Sequence, residues 1–329
     1  VGHRNRETLA GTYGSRGTFN LTRFALLCPG QGAQIVGMGV DFYDQFPVAA
    51  QVYDSADDIL KQKISQICFK GPEAVLQATD NAQAAIFVTG VAIYRVLESL
   101  GKVPAPPAAY AGLSLGEYTA LHLAAAVNFE STLKLVKARG QLMQEAAIAN
   151  PSTMLALVGA DEAAAEKICQ QAANVGVIVA ANFNAPGQIV LSGSIDACAK
   201  AAVISAEIGL RAVPLNVAGA FHSPLMQKAA DAMSVVLEPV DFQPPTAPVI
   251  SNVTAMPHGH SPFEIKLQLV NQIVAPVRWQ QSMETLLRDG FDEFVEIGPG
   301  RSLSGLMRKI NRKARVTNVS TVADIDALV

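Results

Sequence analysis

The chain has 329 residues, of which 50% are hydrophobic and 16% charged, a balance that builds a sizeable globular core and excludes disorder. The formal net charge of −3 gives no electrostatic basis for binding nucleic acid, and no apolar run reaches about 18 residues without a charge or breaker, so no membrane span is expected. Cys28, Cys68, Cys169 and Cys198 form no C-x-x-C pair, which points away from a zinc site or disulfide framework and toward a reducing compartment.

Residues 1–23 carry Arg4, Arg6, Arg16 and Arg23 against one acid, Glu7. A natural leader, an expression remnant and the remains of an organelle transit sequence all fit, whereas a secretory signal would need a stronger apolar core. The folded region is expected from Phe24. Residues 24–28 read as a short buried strand running into Pro29-Gly30-Gln31-Gly32-Ala33-Gln34. That loop is neither a dinucleotide fingerprint, since Ile35 stands where the third glycine belongs, nor a phosphate loop. It is either a plain strand-to-helix turn or a set of free backbone N–H groups able to hold an oxyanion. Residues 41–67 are helical in pattern with a break at Pro47, and 81–100 form a long apolar helix, completing a βαβ-like unit.

The next stretch carries the strongest signal. A short apolar strand leads into Gly112-Leu113-Ser114-Leu115-Gly116, and residues 117–127 read as a helix. Strand, sharp turn and helix around G-x-S-x-G mark a nucleophile elbow. The turn strains the serine backbone, and glycines on either side let strand and helix close around it. Ser114 is therefore read as a nucleophile rather than as a glycine-flanked helix cap. Residues 131–149 form another helix, containing Arg139 and Gly140. Most helical arginines are solvated. A helical glycine costs roughly 1 kcal/mol relative to alanine, however, so Gly140 suggests close approach of another backbone or a ligand.

From Met154 the order becomes β-α-β-β-α-β, the split-βαβ pattern, with a hairpin at 182–187. Residues 151–216 are read as a small inserted subdomain, and 24–150 with 217–329 as the large one. Asn182 and Asn184 are ordinary turn formers, although two amides on one loop can also bind a polar ligand. Of the histidines, His3 lies in the leader, His122 falls mid-helix, and His258 and His260 sit in a Pro/Gly loop and read as solvated. His222 follows an apolar approach and precedes Ser223-Pro224, a helix start, which makes it the best partner for Ser114. A strand at 249–253, helices at 264–274 and 277–287, a strand at 291–297 and a helix at 303–310 complete the pattern. The basic run Arg308, Lys309, Arg312, Lys313 and Arg315 is either a solvated helix end or a docking patch for an acidic partner.

Taken together, these motifs resemble the malonyl-CoA:acyl carrier protein transacylase family over residues 24–319. The resemblance rests on Pro29-Gly30-Gln31-Gly32-Ala33-Gln34, Gly112-Leu113-Ser114-Leu115-Gly116-Glu117, Arg139-Gly140-Gln141-Leu142-Met143-Gln144, Asn182-Phe183-Asn184-Ala185-Pro186-Gly187-Gln188, Gly219-Ala220-Phe221-His222-Ser223 and Glu296-Ile297-Gly298-Pro299-Gly300, in that order. It implies an α/β fold: a parallel-sheet, α/β-hydrolase-like large subdomain with a ferredoxin-like (βαββαβ) insert. It also implies Ser114 as nucleophile, His222 as general base oriented by the main-chain carbonyl of Gln272, and the N–H groups of Gln31 and Leu115 as the oxyanion hole. Arg139 would hold the malonyl carboxylate, through an approach that would also explain Gly140, and Asn182 and Asn184 would line the cleft near the pantetheine arm.

The implied substrates are malonyl-CoA and a phosphopantetheinylated acyl carrier protein, with no cofactor, no metal and no nucleic-acid or membrane partner. The expected state is a cytoplasmic monomer, or an organellar protein if residues 1–23 derive from a transit sequence. Leu113 departs from the histidine that many members carry before the serine. A serine esterase or thioesterase would use the same nucleophile, and a non-catalytic carrier-binding module would need none. Arg139 separates these readings, because a neutral ester does not call for a cation.

Overall fold

A computed structural model describes residues 23–103 and 105–328, so the expected leader lies outside the described residues except for Arg23. Arg23 is anchored: its guanidinium lies 4.2 Å over the Phe291 ring and donates to the carbonyls of Asp289 and Gly290.

The fold opens with β1 (Ala25–Cys28), followed by α1 (Val40–Gln45), α2 (Pro47–Leu60), α3 (Ile64–Lys70) and α4 (Glu73–Gln77). Pro47 occupies the first turn of α2, where its missing N–H goes unnoticed, so the break expected there is a boundary between two helices. The long helix α5 (Thr79–Ser99) is buried along most of its length. Then come β2 (Ala109–Gly112), α6 (Leu115–Leu123) and α7 (Phe129–Ala149), the last capped by Asn128, which accepts the N–H of Ser131. Helix α6 starts two residues earlier than its pattern suggested, directly after Ser114.

The middle of the chain folds as β3 (Ser152–Val158), α8 (Glu162–Ala172), β4 (Ile178–Ala185), β5 (Gln188–Ser194), α9 (Ile195–Glu207) and β6 (Arg211–Pro214). These strands make an antiparallel sheet in the order β4-β5-β3-β6. The expected six-residue hairpin at 182–187 is shorter: β4 continues through Ala185, with register shifts after Ala180 and Phe183, and only Pro186 and Gly187 turn the chain. Alternation decides what each face of this sheet does. Leu155, Leu157, Ile189 and Leu191 pack with α8 and α9 into a separate core, while Met154 and Val190 face the other way.

The chain returns through α10 (Gln227–Leu237), β7 (Val249–Ile250), α11 (Pro262–Val274), α12 (Trp279–Arg288), β8 (Glu293–Ile297), α13 (Ser302–Ile310) and β9 (Arg315–Val319). Here β7 is shorter than expected, and Arg315 begins a strand rather than prolonging a helix end. The second sheet is parallel, in the order β7-β2-β1-β8-β9. Leu26 and Tyr110 enter one core, Ala25, Leu27, Ala109 and Ala111 the other, so the sheet is covered on both faces. Its carboxyl-terminal edge carries the loop after β1, the elbow after β2 and the glycine turn after β8. That is the edge where open α/β sheets bind ligands.

Candidate active site

The elbow forms because its neighbours allow no side chains. A Cβ on Gly112 would lie 1.9 Å from the Gly116 carbonyl carbon, and one on Gly116 would lie 2.0 Å from the Cys28 oxygen. With both sites empty, β2 turns directly into α6, and Ser114 takes φ 53° and ψ −105°. Asn252, just past β7, braces the strained residue: its Oδ1 accepts the Ser114 N–H at 2.6 Å, and its Nδ2 donates to the Gly112 carbonyl at 2.7 Å.

His222 meets the serine from the return segment. Ser114 Oγ lies 2.8 Å from His222 Nε2, and His222 Nδ1 lies 2.7 Å from the main-chain oxygen of Gln272. A carbonyl only accepts, so Nδ1 carries the proton and Nε2 is free to accept from the serine hydroxyl. The loop bearing His222 is pinned by the antiparallel sheet: Ser192 donates to the Phe221 carbonyl at 2.6 Å, and Ser152 accepts the Ala220 N–H at 2.9 Å. Burial, assisted by the nearby Arg139 charge, lowers the His222 pKa from 6.5 to about 4, which keeps the imidazole neutral at pH 7.

Arg139 is not a solvated surface residue; it is 1% exposed. Its Nη2 donates to Ser114 Oγ at 3.0 Å and Gln272 Oε1 at 2.8 Å, and its Nη1 to Gln83 Oε1 at 2.7 Å. The guanidinium carbon also sits 5.5 Å from the centre of the Tyr118 ring. Among the described residues its Nε has no partner, and no carboxylate lies within ion-pair distance of the guanidinium. Of the two causes expected for Gly140, the structure shows the close approach of another backbone rather than a ligand. A Cβ there would lie 2.7 Å from Asp80 Cα and 2.8 Å from the Thr79 oxygen, so the glycine serves the packing of α7 on α5.

A cleft of about 730 Å³ opens over the serine, lined by Gln31, Ser114, Arg139, Asn182, Asn184 and His222, among others. Asn184 Oδ1 is buried there without a partner among the described residues. Leu113 also lines the cleft, and so do Met154 and Val190 from the antiparallel sheet. Leu115 N–H is the first of α6 and has no carbonyl within the helix to bond to. Gln272 stands behind Arg139, fully buried. All eight residues singled out in the sequence thus lie in or directly behind one site. Among the described residues, no group of three or more His, Cys, Asp or Glu side chains is arranged to hold a metal ion.

Four polar neighbours escaped sequence reading: Gln83, Glu117 as a buried carboxylate, Asn252 and His258. His258 is not solvated; it is buried, with Nε2 2.6 Å from Glu117 Oε1. Its backbone N–H is drawn in by the Val249 carbonyl at 2.8 Å.

A family profile described as "Acyl transferase domain" matches residues 25–324. The malonyl CoA-acyl carrier protein transacylase of Bacillus subtilis (strain 168) is 40% identical over 308 residues, covering 93% of this chain and 96% of the relative. The chain belongs to the malonyl-CoA:acyl carrier protein transacylase family. Among solved structures of this family, an acyl carrier protein S-malonyltransferase from Vibrio cholerae is 39% identical with a TM-score of 0.89, covering 93% of this chain and 99% of its own. A malonyl-transacylase solved in complex with a type II PKS acyl-carrier protein is 36% identical, again with a TM-score of 0.89 and coverages of 93% and 99%. No helix of the described residues is long and apolar enough to cross a membrane.

Proposed function

We propose that this chain moves a malonyl group from malonyl-CoA to the phosphopantetheine thiol of an acyl carrier protein through a malonyl ester on Ser114, supplying fatty acid synthesis. Ser114 Oγ attacks the thioester carbonyl while His222 Nε2 takes its proton. The N–H groups of Gln31 and Leu115 hold the tetrahedral oxyanion, a contribution typically worth roughly 3–4 kcal/mol. Collapse breaks the carbon–sulfur bond, and the imidazolium returns its proton to the departing CoA thiolate. In the second half the carrier thiol attacks the ester, His222 accepts the thiol proton, and collapse gives that proton back to Ser114.

One observation carries the choice of acyl group. Arg139 is a buried cation beside the nucleophile with no carboxylate partner among the described residues, an expensive arrangement for a protein to maintain. An incoming malonyl carboxylate supplies the missing anion, and a guanidinium can hold it with two parallel hydrogen bonds. Neutral acyl groups supply none, which disfavours the esterase reading. Asn182 and Asn184 are assigned to the pantetheine amides, supported by the unpaired Asn184 oxygen in the cleft wall.

We also read the antiparallel unit, residues 151–216, as a ferredoxin-like insert in an α/β-hydrolase-like large subdomain spanning 24–150 and 217–329. Its strand order and its separate core support that reading. The test of function is transfer from malonyl-, methylmalonyl- and acetyl-CoA to a phosphopantetheinylated carrier protein. Malonyl should transfer fastest; faster acetyl transfer would overturn the assignment.

A further inference from the structure

Beneath the elbow lies a buried polar cluster that the acyl-transfer steps leave unused. Glu117, on the first turn of α6, is 0% exposed. Its Oε2 accepts from Gln272 Nε2 at 2.8 Å and from the Asn252 N–H at 3.0 Å, and its Oε1 lies 2.6 Å from His258 Nε2. Both Oε2 partners reach the reacting groups. Asn252 holds the Ser114 N–H. Gln272 touches the site three times: Nε2 donates to the Ser114 carbonyl at 2.9 Å, Oε1 accepts from Arg139 at 2.8 Å, and the main-chain oxygen holds His222 at 2.7 Å.

The donor and acceptor inventory makes this cluster directional. An ionised carboxylate only accepts, and a guanidinium only donates. Gln272 stands between the two. With its nitrogen toward Glu117 and the Ser114 carbonyl, its oxygen must face Arg139, and all three contacts are satisfied. Rotating the amide by half a turn would set its oxygen against two acceptors and its NH2 group against the guanidinium. We propose that Glu117 is a positioning residue: it fixes the orientation of the Gln272 amide and thereby holds the Arg139 guanidinium beside Ser114. His258 serves as the donor that occupies the second carboxylate oxygen and keeps Glu117 aimed at Gln272. Glu117 thus governs acyl selection without touching the acyl group. This deepens the reading of Arg139 as the partner of the malonyl carboxylate and rests on it.

The test compares acylation of Ser114 by malonyl-CoA and by acetyl-CoA in wild type, Glu117→Leu, Glu117→Gln and Gln272→Met. A charged-group hydrogen bond is at stake, so Glu117→Leu should lower malonyl kcat/KM about tenfold or more, with acetyl affected less, and the malonyl preference should fall accordingly. Glu117→Gln can present its oxygen to Gln272 and Asn252 while its NH2 group faces His258, whose imidazole then carries its proton on Nδ1 and accepts at Nε2, so it should restore the preference to within about threefold of wild type. Equal proportional losses for the two acyl groups, no loss in Glu117→Leu, or a Glu117→Gln as impaired as Glu117→Leu would each overturn the proposal. If Glu117→Leu does not fold, Gln272→Met decides. It keeps the main-chain carbonyl that holds His222 and removes only the amide, so it should show the same selective loss, and an unchanged preference would overturn the proposal. A wild-type protein with no malonyl preference would instead sink the underlying reading of Arg139 before any variant is compared.

Discussion

Arg139 Nη2 lies 3.0 Å from Ser114 Oγ, so the buried cation and the nucleophile share a hydrogen bond before any substrate arrives. The first prediction concerns that pair. Arg139→Ala should cost malonyl transfer about a hundredfold, as expected for a lost charge-assisted contact, while acetyl transfer should fall less or rise. Initial rates with the two CoA esters check this. An unchanged malonyl-to-acetyl ratio would remove the role assigned to Arg139.

A second prediction follows from His222, whose pKa is lowered from 6.5 to about 4 by burial first and the Arg139 charge second. The unfolded chain binds the proton more readily than the folded one. Stability from this group is therefore fully present above pH 6.5, is lost as pH falls from 6.5 to about 4, and changes no further below that. The total at stake is about 3 kcal/mol. His122, lowered to about 4 by burial, adds a loss of the same sign. Denaturant unfolding of wild type and His222→Gln between pH 7.5 and pH 4 should show a smaller acid-side loss in the variant; equal losses would contradict the neutral base.

Gly140 gives a third. In Gly140→Ala the new methyl group meets the backbone of Thr79 and Asp80, which cannot swing aside as a flexible side chain could. Despite alanine's better helix propensity, the variant should lose roughly 1–3 kcal/mol and should also displace the adjacent Arg139. A higher urea midpoint than wild type would refute the packing explanation.

The chemistry of this site was legible where residue type and spacing carry it. The strand–G-x-S-x-G–helix order marked Ser114, and the helix start at Pro224 marked His222. Arg139 needed the family resemblance, because its helix alone does not distinguish a buried arginine from a solvated one. The supporting shell was illegible. Glu117 meets Asn252, His258 and Gln272 across 135, 141 and 155 residues of chain, and contacts that distant impose no local period. His258 looked solvated because Pro257 and Gly259 flank it, yet an isolated bridge between Ile250 and Pro257 folds that loop back onto the sheet. Strand β9 was hidden by the basic residues leading into it, since its buried positions, Thr317 and Val319, alternate with less buried ones. The Asn182 hairpin was overdrawn because asparagine signals a turn, while β4 tolerates two of them through its register shifts.

The fourth prediction tests the brace on the elbow. Asn252→Ala removes the acceptor for a buried N–H at a strained residue, at a cost of about 1–3 kcal/mol. Acylation of Ser114 should slow with little change in KM for malonyl-CoA, because the cleft wall itself is untouched. Asn252→Asp keeps that acceptor, loses the donor to Gly112 and should fall between the two. Full acylation rates in Asn252→Ala would show that the elbow holds its geometry unaided.

The central claim is a covalent one, and intact-protein mass spectrometry reads it directly. Brief incubation with malonyl-CoA should add one malonyl group to the wild-type chain, map to the peptide containing Ser114, and vanish when a phosphopantetheinylated carrier protein is added. Ser114→Ala should acquire nothing. A malonyl mass on Ser114→Ala, or no adduct on a wild-type protein that nevertheless transfers malonyl to the carrier, would contradict the account.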